Sequence, residues 1–198
     1  MSRHLSWAVL LLVLAGACKH TLPPYDYSEE PDPTRRGFVL GPSDQLAITV
    51  WKNSDLTTTA TVRPDGTITM PLVGDVRADG KTPAELRLEI ERRIKAYVKD
   101  QNVVLTVAVT QVNSYHFIVS GQVSKPGLFT ANRYITVAEA IAMAGGPTRF
   151  ANPEQTIIIR RSGGKKPRNI PVDYKAISEG KRPEMNLYLL SGDTIHVP

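Results

Sequence analysis

Between Phe38 and Val76 short β-rich runs alternate with turn signals, and a chain punctuated this way is constrained to fold as paired strands. Gly41-Pro42-Ser43-Asp44 precedes a run in which Leu46, Ile48 and Val50 alternate with Ala47, Thr49 and Trp51, the period-two pattern of a half-buried strand. Val62, Ile68 and Met70 flank Asp65-Gly66, a pair that readily takes the positive φ of a hairpin turn, so a hairpin is expected there. Gly74-Asp75 closes the unit after Pro71, which has no N–H for a ladder and belongs at a strand end or sheet edge.

The chain then changes period. Thr82-Pro83-Ala84-Glu85 has the form of a capping box with Pro at the first helical position. Leu86, Ile90, Ile94, Tyr97 and Val98 recur behind it at helical spacing, with Arg87, Glu91, Arg92, Lys95 and Lys99 over the remaining surface. Val103 to Val109 has the β-branched density of a buried strand and is expected to close a first domain against the opening hairpins. From Ser114 the pattern restarts: a strand over Tyr115 to Ser120, a tight turn at Pro126-Gly127, and a second capping box at Thr136-Val137-Ala138-Glu139. The helix that follows carries a narrow apolar side, Ala138, Ile141 and Ala142, and ends at Gly145-Gly146. Thr156 to Arg161 and Arg168 to Val172 read as a hairpin around Ser162-Gly163-Gly164-Lys165, with Leu187 to Leu190 pairing later in the sheet. The expectation is an α+β fold, and 198 residues with 41% hydrophobic content suit one or two small domains.

These residues resemble a known family. Gly41, Asp44, Asp65, Gly66, Ile68, Pro71 and Gly74 follow the pattern of the polysaccharide export domain of outer-membrane auxiliary proteins of the Wza type, with Ser43 where that family usually has Gly. Gly121, Val123, Pro126 and Gly127, then Ala140, Ala144, Gly145 and Gly146, then Gly192, Asp193, Ile195, Val197 and Pro198 resemble the family's soluble-ligand-binding β-grasp module, with Gln122 in a place often held by Glu. The resemblance implies a small strand-rich polysaccharide export domain over residues 38–112 followed by one β-grasp domain over 113–198.

Upstream, Arg3 and His4 precede an uncharged run from Leu5 to Ala17. That run has the length of a secretory signal and falls short of the roughly 20 residues a spanning helix needs. Leu14-Ala15-Gly16-Ala17-Cys18 resembles a bacterial lipobox, which implies cleavage after residue 17 and acylation of Cys18; the other reading is an ordinary Ala-x-Ala signal site that leaves Cys18 a free thiol. Lys19 stands where an inner-membrane retention signal usually has Asp, which favours outer-membrane sorting. Residues 18–37, rich in Pro and acidic groups, are expected to form a lipid-anchored linker, disordered apart from any docking of Tyr25 and Tyr27. A single Cys excludes an intrachain disulfide, so an exported fold must rest on its core.

No residue set carries recognisable catalysis. The four histidines are isolated, no zinc-type spacing occurs, and no Ser or Cys has an evident base. Asp44, Asp65, Asp75 and Asp193 each lie in or beside a Gly-containing turn, where Asp caps local amides. No cofactor or metal is implied. A formal net charge of +5 would suggest nucleic acid in a cytoplasmic protein, but export removes that partner. Anionic polysaccharide or lipid head groups take its place, against the plainer reading of a solvated basic surface. Arg160, Arg161, Lys165, Lys166 and Arg168 crowd the expected hairpin tip, where they would contact an anionic glycan or a neighbouring subunit, or simply be solvated.

The resemblance implies a non-enzymatic, ring-forming homo-oligomer in the periplasm, anchored to the outer membrane as a lipoprotein. It would pass capsular polysaccharide or exopolysaccharide from an inner-membrane copolymerase towards the outer membrane. Longer members of the family carry a C-terminal amphipathic helix that forms the outer-membrane pore. None is evident before Pro198, so a short form completed by a separate outer-membrane β-barrel is expected. The rival is a monomeric β-grasp module that binds a soluble ligand or glycan; a glycan hydrolase ranks third, because no pair of positioned carboxylates can be read from the turn aspartates.

Overall fold

A computed structural model describes residues 22–97, 104–161 and 166–198. The signal segment 1–17, Cys18, Val98, Val103 and the 162–165 turn with Lys165 lie outside the described residues.

The first unit is built on β1 (Gln45–Val50), whose alternation buries Leu46, Ile48 and Val50 on one face. It pairs antiparallel with β2 (Thr58–Thr61) on one side and with β5 (Leu105–Gln111) on the other. A separate two-stranded ribbon, β3 (Thr67–Met70) with β4 (Gly74–Arg77), lies beside that sheet, with Pro71 in the connection between its strands. The Asp65-Gly66 turn forms, with Gly66 at φ +81° and Arg63 N donating to Thr67 O at 2.8 Å. The hairpin expected across it does not continue. Val62 N donates back to Asp44 O and Ser43 N to Val62 O, so the end of β2 stays with the Gly41–Asp44 turn while β3 leaves to pair with β4.

Helix α1 (Pro83–Ile94) begins at a complete capping box: Glu85 N donates to Thr82 Oγ1, and Thr82 N donates to the Glu85 carboxylate at 2.7 Å. Leu86, Ile90 and Ile94 are buried against the sheet, each contributing roughly 1.5–3 kcal/mol of apolar transfer. Tyr97 departs from the expected face. The helix ends at Ile94, its periodicity ends with it, and Tyr97 turns outward.

The second unit holds β6 (His116–Gly121), β7 (Gly127–Thr130), α2 (Val137–Met143), β8 (Thr156–Arg160), β9 (Arg168–Val172), α3 (Tyr174–Ser178) and β10 (Thr194–Val197). Its sheet order is β7-β6-β10-β8-β9, in which β6 and β10 are parallel and every other pair antiparallel. The closing strand thus inserts between two hairpins, as a β-grasp sheet requires. Gly121 permits this: at φ +86°, a Cβ there would sit 2.0 Å from Val197 O. α2 packs through Val137, Ala140 and Ile141, with Ala144 just beyond it, rather than through Ala138 and Ala142; Ile141 alone of the expected apolar side is buried. Leu187 to Leu190 form no strand. They lie against the start of α2 through Val137 N to Leu187 O and Leu189 N to Ile135 O.

Leu22 to Gly37 is not a disordered linker. Two 3-10 turns, Tyr27–Glu29 and Pro33–Arg35, are capped by Asp26 and Asp32. Leu22, Tyr25 and Tyr27 pack on the second core, Tyr27 OH donates to Pro171 O on edge strand β9 at 2.7 Å, and Arg36 pairs with Glu85 at the start of α1. Phe38 packs against both cores.

Candidate functional site

Three arrangements could carry function: the joint between the units, a buried ion cluster, and a groove beside the joint. The joint is Asp44, which is fully buried. One carboxylate oxygen accepts from the backbone N–H groups of Asn113 and Ser114, both at 2.8 Å. The other accepts from Gly41 N at 3.0 Å and Ser114 Oγ at 2.8 Å. Asn113 Nδ2 adds a bond to Ser43 O at 2.9 Å. The turn that starts the first unit is therefore fastened to the segment that starts the second, and a Cβ on Gly41 would meet Ser114 Cβ at 2.7 Å.

Asp193 is the corresponding carboxylate of the second unit. It accepts from Leu190 N at 2.8 Å and is held by Arg160, whose Nη2 lies 2.6 Å and Nε about 3.0 Å away. Arg160 also donates to Tyr188 O and, through Nη1 at 2.7 Å, to Glu30 of the N-terminal segment; the side chains of Arg160 and Glu30 are 1% and 2% exposed. Burial opposes the Arg160 charge, but Asp193 and Glu30 outweigh it and hold the guanidinium above its ordinary pKa. Tyr25 OH donates to Glu30; burial, then that bond and the carboxylate charge, push the phenol up to about 12.

This overturns part of the expected basic tip. Arg160 is a core residue: on β8 it shares the inward face with Thr156 and Ile158, so the same alternation that marks the strand sends its side chain inside. Arg168, opposite it in the ladder, reaches the other oxygen of Glu30 at 3.2 Å. Arg161 and Lys166 are exposed and remain available to a partner. Sequence reasoning missed Glu30 and Asp193 as ion partners; one of several acidic residues in a proline-rich segment gives no local sign of a cation 130 residues away.

Beside the joint lies a groove of about 770 Å³, lined by Phe38, Tyr134 and Tyr188 together with Asn132, Asn186 and Glu139. Tyr134 OH donates to Gly37 O at 3.3 Å, and Asn186 Oδ1 accepts from Ala138 N at 3.0 Å. Glu139 completes the second capping box; the Thr136 backbone amide, then Arg133, lower its pKa. A groove of this size at a domain boundary, with aromatic walls and a few fixed polar groups, has the make-up of a small-ligand site.

The remaining candidates are structural. Asp65 caps Thr67 N at 2.9 Å, whereas Asp75 bonds side chains, Thr69 Oγ1 at 2.6 Å and Arg63 at 2.9 Å. The fold brings Ser120 Oγ within 3.2 Å of His196 Nδ1, a pair the sequence did not suggest. That hydroxyl also donates to Ile195 O at 3.1 Å, and among the described residues no carboxylate bonds the imidazole, so the pair lacks the orienting third group of a nucleophilic site. Among the described residues no group of three or more His, Cys, Asp or Glu could hold a metal, and no helix is long and apolar enough to cross a membrane.

Comparison with known proteins gives these features a context. Residues 32–108 match the family described as polysaccharide biosynthesis/export protein, and residues 117–172 match the SLBB domain. The chain carries a polysaccharide export domain followed by an SLBB domain. It is 32% identical over 137 residues to the EPS I polysaccharide export outer membrane protein EpsA of Ralstonia nicotianae, covering 69% of this chain and 34% of that protein. It is 28% identical over 129 residues to the exopolysaccharide production protein ExoF of Rhizobium meliloti, covering 60% and 30%. The polysialic acid transport protein KpsD of Escherichia coli is 24% identical over 124 residues, covering 63% and 22%. The chain thus spans about a third or less of the length of the relatives it matches. The names of the families and relatives point to export rather than catalysis.

Proposed function

We propose that this chain is a non-enzymatic component of a polysaccharide export channel, lipid-anchored at Cys18 in the periplasm and assembled as a homo-oligomeric ring. In this reading it guides capsular polysaccharide or exopolysaccharide from an inner-membrane copolymerase towards a separate outer-membrane β-barrel. The export domain occupies residues 38–112 and the β-grasp domain 113–198. The carrying observation is the tandem of export and SLBB domains fastened by a fully buried Asp44, a rigid two-domain unit suited to stacking in register around an axis. Arg161, Lys165 and Lys166 supply the basic contacts to glycan or neighbour.

The test is a strict deletion complemented with wild type or with Cys18→Ala. Deletion should abolish surface polymer while precursor synthesis inside the cell continues at first. The Cys18 variant should leave the membrane fraction, because no other acyl anchor remains. In-cell crosslinking of the wild type should give a closed oligomer. Normal surface polymer in the deletion strain would overturn the export reading. A lipidated protein that stays monomeric at membrane density would favour a ligand-binding β-grasp module instead, a reading supported by the aromatic groove beside Phe38.

A further inference from the structure

We infer that the groove beside the joint binds a neutral sugar ring, stacked against its tyrosines and hydrogen-bonded by Asn132, Asn186 and the Tyr188 hydroxyl, a reading that rests on the groove being a ligand site and needs neither a ring nor an acyl anchor. The walls are fixed before any ligand arrives. The Tyr134 ring lies 6.5 Å from Phe38 and edge-on to the buried Tyr115 at 5.4 Å, and its hydroxyl is tied to Gly37 O. Tyr188 is held through its backbone, which bridges to Thr136 and accepts from the buried Arg160 at 3.0 Å. Phe38, Tyr134 and Tyr188 all remain partly exposed.

The polar groups are equally set. Asn186 Oδ1 accepts from Ala138 N at 3.0 Å, so its amide has one orientation and Nδ2 stays a fixed donor at the groove. Among the described residues Asn186 Nδ2, the Asn132 amide and the Tyr188 hydroxyl have no partner, and no buried side-chain polar atom is left unsatisfied, so all three are open to solvent. They are positioned groups waiting for hydrogen bonds.

Charge and polarity together select the ligand class. Arg133 and Glu139, the one cation and the one anion lining the groove, pair with each other at 2.9 Å, and the Glu139 carboxylate also accepts from Thr136 N. A phosphate or a carboxylate would therefore meet no free guanidinium, and a cation no free carboxylate. An acyl chain would dehydrate three polar groups without replacing their bonds to water. A pyranose satisfies both halves of the lining: its C–H faces lie against the aromatic rings, while its hydroxyls, each donor and acceptor, pair with amides and phenol. The volume of about 770 Å³ falls within the range of small-ligand sites and leaves room for the next sugar of a chain.

The full chain in a sugar-free detergent, titrated with cellobiose, lactose, mannobiose and N,N′-diacetylchitobiose, tests this by calorimetry and saturation-transfer NMR, with inorganic phosphate and indole as comparators. At least one disaccharide should bind in the millimolar range, and neither comparator should displace it. Asn186→Asp keeps the acceptor for Ala138 N and removes the fixed donor, so Tm should hold while disaccharide affinity falls by about tenfold or more. Tyr188→Phe keeps the ring and should weaken binding roughly three- to tenfold. Equal binding of the sugar and its methyl glycoside would make the ligand a unit within a chain; binding of the free sugar alone would make it a free reducing sugar. The sugar reading is overturned if Asn186→Asp binds as tightly as wild type, or if indole or phosphate binds in place of the disaccharides, which would leave the groove a site for another class. Binding of none of these probes would overturn the groove as a ligand site altogether. Neither failure touches the surface-polymer and crosslinking outcomes, which are read in cells.

Discussion

Ser43 occupies the position that the Wza-type pattern usually gives to glycine, and it adopts the conformation a glycine would take, φ +76°. The turn is preserved because its bonds fix it from both sides: Ser43 N donates to Val62 O, and Ser43 O accepts from Asn113. A left-handed non-glycine residue costs about 1–2 kcal/mol, and glycine gives back roughly half of that through its freer unfolded chain. Ser43→Gly should therefore stabilise the protein by about 0.5–1 kcal/mol, read as a higher urea midpoint with unchanged slope. Ser43→Val should do the opposite, since a β-branched residue tolerates positive φ least.

The elements divide by how far their causes lie along the chain. β1 and both capping boxes were legible because their signals are local: an alternation over six residues, or a Thr and a Glu three apart. The Asp65-Gly66 turn was also legible, but not the choice of ladder partner, which depends on Asp44 capturing Val62. For Arg160 the sequence showed a cationic cluster at a hairpin and gave no sign of carboxylates 33 and 130 residues away. The buried pair makes a strong prediction. Arg160→Ala leaves Asp193 buried without a cation and Glu30 with the exposed Arg168 alone, and should cost about 3–5 kcal/mol by chemical denaturation. Glu30→Gln in the same background should add far less than it costs alone, because the two changes share one network. The groove was likewise unreadable, since Phe38, Tyr134 and Tyr188 become neighbours only once the second sheet has closed.

At the scale of the whole molecule, one buried carboxylate gathers four of the hydrogen bonds at the joint between the units, beside Phe38, which packs on both cores. Asp44→Ala strands the amides of Asn113 and Ser114, at about 1–3 kcal/mol for each buried donor left unmade. The wild type is expected to unfold in a single calorimetric transition, whereas the variant should resolve into two, with each core melting by itself. The docked N-terminal segment has a different kind of consequence. Because Leu22 already rests on the second core, only three residues stand between it and Cys18, and the four Cα–Cα steps reach no more than about 14 Å. An acyl chain on that cysteine would work as a short leash. The β-grasp unit would be kept within a short distance of the bilayer, so neighbouring copies would search a plane instead of a volume.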